Sequence, residues 1–350
     1  MKTLEVEINE EVRPALTAER PARTAAPAKP RAARAGAMRL RTLLALPIAC
    51  AVALGVHLAI ATEEPAAQTA SYTWFLAGLL GLSMGAAGLQ FAWNAFRKWL
   101  EHMNPILAAA VLLLCGWEVI TTGFRWLPMP YFPSPAGVLQ SMIDDRKMLF
   151  DCTWNSLFLL SMGYLLGTVI GLVSGICIGW FPNARYWGMP LLKVIGPIPA
   201  TAWVPLAMVV SPNGKVSAIG LVALAVWFPV AMLTISGIAN TKASYLDVAR
   251  TLGAKPNYLI FRVAIPAAMP SIFIGLFMGL GASFLTLIVA ETVGVKSGLG
   301  WYVQWAQGWA EYAKVYAALV IMAAFFSTIM TVLFKVRDRV LVWQKGAIKW

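Results

Sequence analysis

The sequence predicts an all-α, polytopic membrane protein. Three observations predict it. Hydrophobic residues make up 59% of the 350-residue chain, above the roughly 45–50% of a soluble globular domain. They are gathered into eight long apolar stretches without strict alternation, a pattern of membrane helices and not of a transmembrane β-barrel. Charged residues are only 13% of the chain, and nearly all fall between the stretches. An ordinary cytosolic enzyme or a disordered chain would be more polar and more charged.

Residues 1–42 form a polar Ala/Pro/Arg-rich tail with nine basic and five acidic residues. The run from Pro21 to Ala37 has no apolar periodicity and reads as disordered. The tail is too long for the charged start of a signal peptide, and no clear cleavage site comes after it, so it is expected to be retained. The apolar stretches are then 43–61, 72–96, 104–124, 153–180, 187–211, 216–238, 270–293 and 313–334. Each approaches or exceeds the ~20 residues that a helix needs to cross the hydrocarbon core. The least regular are 43–61, with Pro47 and His57, and 187–211, with four prolines and Lys193. Three regions result: 1–42 as a cytoplasmic tail, 43–100 as two additional transmembrane helices, and 101–350 as a six-span core.

Lys and Arg in the loops set the orientation. With residues 1–42 inside, 21 basic residues lie on the inner side and six on the outer. Both termini are therefore expected in the cytoplasm. The formal net charge of +12 becomes a matter of topology and anionic-lipid contact, with no nucleic acid as partner.

The inner stretch 240–268 is long and organised. Ser244 followed by Asp247 fits a capping box, so a helix is expected to start near 245. Tyr245, Val248, Ala249 and Leu252 share its apolar face. Gly253 stands where a helix needs a left-handed residue at its end. Pro256 suits the first turn of a second helix. Leu259, Ile260 and Val263 give that helix an apolar stripe, and Pro266 is expected to stop it. Such an elbow either rests on neighbouring spans or docks a cytoplasmic partner.

These residues resemble the binding-protein-dependent ABC transporter permeases. That family carries a cytoplasmic motif of the form E-A-A, three residues, G, nine residues, I-x-L-P. Here Asp247-Val248-Ala249 is followed by Arg250-Thr251-Leu252, Gly253, nine residues and Val263-Ala264-Ile265-Pro266. The spacing matches at every step, with conservative departures. More of the chain is similar to the nitrate/taurine/alkanesulfonate/bicarbonate-type branch. Pro133-Ser134-Pro135-Ala136-Gly137-Val138 is similar to its "PsPxxV" segment. Gly196-Pro197-Ile198-Pro199 resembles its "RPIP" stretch with Gly for Arg. Ala290-Glu291 followed by Ser297-Gly298-Leu299-Gly300 looks like its "aE…sGLG" segment. The resemblance covers about 104–340 and leaves residues 1–100 as additions.

The resemblance implies a six-span, type I ABC importer permease core plus two extra N-terminal spans, in the bacterial inner membrane. It implies a non-enzymatic chain working as a homodimer with two ABC ATPase subunits and a periplasmic solute-binding protein, by alternating access. Asp247, Ala249, Gly253, Ile265 and Pro266 would be the coupling elbow, with Asp247 also capping its helix. The solute would be a small anion such as nitrate, a sulfonate or taurine; a heterocyclic vitamin precursor or aromatic acid is the alternative. ATP and magnesium would bind the partner ATPase and no cofactor would bind this chain, which has no G-x-x-x-x-G-K-[ST] motif.

Other features have structural readings. Gly163, Gly167, Gly171, Gly175 and Gly179 place one smooth stripe on a helix, suited to close packing in lipid. Gly81-Leu82-Ser83-Met84-Gly85 reads the same way and not as a nucleophile elbow. Glu118, Lys193 and Glu291 are ionisable groups within spans. Glu118 and Glu291 are expected near outer ends, where water reaches them, in a structural or translocation role. Lys193 is expected to snorkel. Trp301, Trp305 and Trp309 are expected in a Gly-rich outer loop open to a binding protein. Two histidines and four dispersed cysteines offer no zinc-protease motif. A lipid-modifying enzyme would need convergent polar residues at one depth, and a channel would not need the elbow.

Overall fold

The computed structural model describes residues 31–60, 66–89, 94–127 and 130–344, and among these the chain is helical throughout with no strand. The helices are α1 Arg31–Ile60, α2 Ala66–Leu89, α3 Asn94–Glu118, α4 Pro135–Asp144, α5 Arg146–Trp180, α6 Pro182–Ile195, α7 Val204–Val210, α8 Gly214–Ala239, α9 Ala243–Thr251, α10 Pro256–Tyr258, α11 Ile265–Gly294, α12 Leu299–Gly308 and α13 Tyr312–Val340. All eight apolar stretches are helical over most of their described residues. Among the described residues, six helical segments are long and apolar enough to span a membrane, and a bent pair makes up to seven. The apolar part of α1, Leu44–Ile60, is shorter. Helix α1 also reaches back to Arg31, into the segment read as disordered. After Pro30 the sequence RAARAGAMRLR is rich in helix formers and has no further proline before Pro47. Residues 1–30, the rest of that tail, lie outside the described residues.

The centre of the bundle is α5, α8 and α11. Glycines let their backbones meet. A Cβ on Gly163 would fall 2.5 Å from Val222, one on Gly171 2.9 Å from Val230, and one on Gly175 2.7 Å from Thr234. Gly167 faces Val226 and Gly179 faces Ile238 in the same register. Each glycine of this α5 stripe meets the residue at the same sequence offset in α8, so the two helices run parallel. On the other face of α8, Gly237 meets Ala268 and Ser271, Gly275 meets Pro229 and Val230, and Gly279 meets Val226, so α11 runs antiparallel. Helix α13 is antiparallel to α11, with Phe277 stacked on Phe334 at 4.3 Å and Phe284 on Phe326 at 4.0 Å between ring centroids.

This register decides the path of 182–213. Because α5 and α8 are parallel, the chain must return across the bundle between them. It does so as α6 and α7, which bend by 84° at residues 196–199. The expected continuous span over 187–211 is thus a broken one. Pro197 and Pro199 lack the N–H groups that would carry a helix through, and Ala200–Trp203 tightens into a 3-10 turn before α7.

One end of the bundle gathers the starts of α4, α5, α8 and α12. Its opposite end gathers the end of α5, the 240–264 elbow and the end of α13. The N-terminal helices join at the first end. Leu46, Ala49, Cys50 and Ala53 of α1 are buried with Ala108, Val111 and Cys115 of α3. Ser71 of α2 donates to Gln140 of α4 at 2.8 Å, and Trp117 of α3 packs on Tyr316 of α13 at 5.6 Å. The glycines of α2 do not pack. Gly78, Gly81, Gly85 and Gly88 have nothing within 4 Å of a built Cβ, so the small-residue packing expected of Gly81–Gly85 is not made among the described residues.

Candidate coupling elbow and translocation cavity

The elbow leaves α8 at Asn240 and builds α9 over Ala243–Thr251. The helix starts two residues earlier than expected, with Lys242 at its N-cap and no side-chain cap. The expected capping box is not formed, because Ser244 is already inside the helix. Asp247 instead pairs with Arg250 at 3.1 Å on the exposed surface, an i,i+3 contact worth about 0.3 kcal/mol. The end of α9 agrees with expectation. Gly253 has φ +81. Its N–H donates to Arg250 O at 2.9 Å, and Ala254 N–H donates to Ala249 O at 3.0 Å. This pair of bonds is the Schellman closure, which satisfies the last free carbonyls of the helix. A Cβ at Gly253 would meet nothing within 4 Å, so only the left-handed backbone demands glycine there.

Pro256 opens α10, as its missing N–H permits. The chain then widens into a π-helical segment, Leu259–Ala264, and runs directly into α11. Pro266 does not stop the helix as expected. It stands just past the junction of the π-helical segment with α11, and the helix runs on through it. Leu259, Ile260 and Ala264 are buried and anchor the elbow to the bundle. Tyr245, Val248, Leu252, Tyr258 and Phe261 are exposed, Leu252 at 82%. Ala249, Ile265 and Pro266 are half-buried. One side of the elbow therefore rests on the spans, the first of the two readings its sequence left open, and the other side presents an apolar surface. Exposed apolar groups clustered this way mark an interaction surface.

At the α6–α7 break lies a cavity of about 320 Å³, walled by the break itself, by Leu224–Pro229 of α8 and by Met278, Ala282, Leu285 and Thr286 of α11. Residues 224–229 are midway along α8, so the cavity is at mid-depth. Non-helical backbone at such depth persists only where protein covers it or a cavity receives it, and broken helices near the midplane are where transporters hold their solutes.

Glu291 lies at the far end of α11. It is fully buried, where water was expected. Its carboxylate accepts from Ser156 of α5 at 2.6 Å and from Gly300 N–H at 2.7 Å. Ser156 Oγ accepts in turn from Leu299 N–H at 2.9 Å. Gly298 has φ +124, and a Cβ there would run into the Glu291 carboxylate. Glu291 is thus a staple that binds α5, α11 and the first N–H groups of α12. The expected Trp301–Trp309 loop is this helix, α12, with Trp301 and Trp305 stacked at 6.3 Å and Trp309 exposed. Tyr302 of α12 donates to Asp145 at 2.7 Å. Burial, and then that bond, push its phenol above the ordinary value. Lys314 bridges Asp145 and Glu311 at 3.3 and 2.7 Å.

Glu118 is also buried, and it bonds His57 of α1. His57 Nε2 faces Thr73 Oγ1 of α2 at 3.0 Å. The additional helices are thereby tied to the core by a buried polar cluster that sequence reasoning missed. The signal was present: two ionisable residues of opposite tendency, near the same end of neighbouring spans. Lys193 is exposed, as snorkelling requires.

A membrane bundle with an apolar elbow at one end, a broken span and cavity at mid-depth and a stapled helix at the other defines a solute permease. Residues 167–341 match the family described as binding-protein-dependent transport system inner membrane component, and the chain belongs to that family of ABC transporter permeases. It is 30% identical over 222 residues to a probable ABC transporter permease of Haemophilus influenzae, covering 63% of this chain and 90% of that one. It is 32% identical over 230 residues to the putative aliphatic sulfonates transport permease SsuC of Bacillus subtilis, covering 65% and 82%. It is 29% identical over 252 residues to the taurine transport permease TauC of Escherichia coli, covering 70% and 90%. The chain is a multi-pass transport subunit and not an enzyme.

Proposed function

We propose that this chain is the membrane-spanning subunit of an ATP-driven importer for a small anionic solute, such as a sulfonate, taurine or nitrate. A periplasmic binding protein delivers the solute to the end bearing α12, and both termini lie in the cytoplasm. Two copies pair, and two ATPase subunits carrying ATP and magnesium dock on the elbows. Closure of the ATPases moves the elbows, and the spans rock between outward and inward openings. The observation that carries this reading is the elbow: Asp247, Ala249, Gly253, Ile265 and Pro266 fall in the motif's spacing, and α9 with its C-cap presents Tyr245, Val248 and Leu252. The alternative solute, a heterocyclic vitamin precursor or aromatic acid, draws support from the apolar lining of the cavity.

The test is a mild-detergent pull-down of the tagged chain from its native membrane, with mass spectrometry of the co-purifying proteins. An ABC ATPase should co-purify with the native chain and be lost from Leu252→Asp, which puts a charge into the apolar surface. Absence of an ATPase from a folded native preparation would move a channel or structural subunit ahead of this reading.

A further inference from the structure

We infer that Leu259–Ala264 is a register switch: Leu259 anchors the elbow in the π-helical register, Phe261 takes over that anchor in an α-helical register, and the exchange turns the elbow on α11 as the transporter cycles. The inference rests on the importer reading above and adds the moving part between the elbow and the spans. Wide helical turns of this kind are rare, appear as single-turn insertions and gather at functional positions. This one lies between the exposed apolar surface and the bundle. Helix α9 makes its main contact with it, and it runs without a break into α11. A movement of α9 that reaches the spans along the chain passes through it.

The register shows in the backbone. Ile265 N–H donates to Ile260 O, five residues back; in an α-helix it would donate to Phe261 O instead. Pro266 favours the wider turn, because in an α-helix its ring would press on the carbonyl of Arg262. It does not enforce that turn: Pro270 meets the same demand inside α11 with no wide turn behind it. Both registers are therefore open to this sequence, and the side chains suit both. In the wide register Leu259, Ile260 and Ala264 are buried, and Phe261 is 64% exposed. Traced back from Ala264 at about 100° per residue, an α-helix would put Ile260 about 40°, Phe261 about 60° and Leu259 about 140° from Ala264. Phe261 would enter the buried face and Leu259 would leave it, one large apolar group replacing another, while Ile260 stays. One residue of slip turns residues 256–263 by about 100° and moves them about 1.5 Å along the axis of α11. The loop at residues 253–255 takes up the slip.

Cysteine accessibility tests this in inverted native membrane vesicles holding the full chain and its partners. Leu259→Cys is the reporter, and Ile260→Cys, made separately, is the control that stays buried in both registers. N-ethylmaleimide labelling is read by peptide mass spectrometry, which separates these sites from Cys50, Cys115, Cys152 and Cys177. Without nucleotide both should be protected. Magnesium, ATP and vanadate, which hold an ATPase closed, should speed labelling of Leu259→Cys about tenfold through a shift in register population. Ile260→Cys should stay protected. Adding Pro266→Ala removes the ring and should speed labelling of Leu259→Cys about fivefold without nucleotide. Free labelling of Leu259→Cys at rest, or its protection in every nucleotide state while an ATPase is bound, overturns the switch. Equal gains at both cysteines mean local unfolding and overturn it too, as does a Pro266→Ala background that leaves Leu259→Cys protected. Absence of an ATPase from the native vesicles fails the importer reading instead. The Pro266→Ala comparison, which needs no nucleotide, then still decides whether the second register exists.

Discussion

Helices α2 and α5 carry the same kind of sequence signal and use it differently. Both space glycines along one face. In α5 five glycines, four residues apart, each receive a side chain of α8, and backbone lies against backbone. In α2 a Cβ built at Gly78, Gly81, Gly85 or Gly88 meets nothing within 4 Å among the described residues. The contrast teaches that small-residue spacing creates a smooth face but does not say what covers it. The covering is specified elsewhere, here by the Val222, Val226, Val230, Thr234 and Ile238 series of α8. A helix becomes packed only when two complementary stripes coexist in one chain.

The comparison breaks if both helices respond alike to a larger side chain. Gly167→Leu, whose side chain would run into the backbone of Ala223 and the side chain of Val226, should cost about 3 kcal/mol or more of stability. Gly85→Leu should change it by less than about 1 kcal/mol. Thermal unfolding of the two variants in detergent decides the matter, and equal losses would refute the contrast.

The core also differs from the N-terminal helices in how it satisfies a buried carboxylate. Glu291→Ala leaves Gly300 N–H without its acceptor and should cost about 2–3 kcal/mol, whereas Glu291→Gln keeps an acceptor oxygen and should cost less. Melting temperatures ordered wild type, Gln, Ala support the staple; indistinguishable values remove it. For the N-terminal pair, His57→Leu removes the bond between His57 and the buried Glu118 and should cost about 1–3 kcal/mol, confined to α1–α3. Maleimide should then reach Cys50 faster while Cys152 of α5 stays protected. Equal acceleration at both would mean that the two regions unfold as one.

The smallest effect belongs to the elbow. Gly253→Val should cost about 1–2 kcal/mol through backbone strain alone, since a Cβ there meets nothing, and should weaken ATPase co-purification. Gly253→Asn, which tolerates the left-handed region, should restore most of it. A Val variant that retains the ATPase in full would show that the turn is not what positions α9.

Much of this was legible in the sequence. Apolar length placed the spanning helices, and Gly253 with Pro256 placed the turn, because these residues encode local backbone geometry. Local signals that depend on the neighbouring chain were less readable. Ser244 and Asp247 have the spacing of a capping box, yet the helix had already begun. Pro266 has the look of a stop, yet the helix runs through it from the π-helical segment into α11. Pairings across the chain were least legible: Glu291 with Ser156 and Gly300, and Glu118 with His57, depend on helices brought together from distant parts of the chain. The burial of Glu291 was unreadable for that reason, since position near a span's end does not reveal the helix that closes over it.

From Pro256 to Gly294 the chain forms one continuous helical segment of 39 residues, about 58 Å at an α-helical rise. One end is the elbow and the other carries Glu291. The π-helical stretch Leu259–Ala264 lies at the elbow end. Mechanically this is a pushrod, with compliance at the π-helical stretch and at Pro270 inside α11: axial load applied at the elbow would arrive at the carboxylate that clamps α5 and α12. A message crossing the membrane by this route needs no relay of side chains, because the two addresses are written on the same rod.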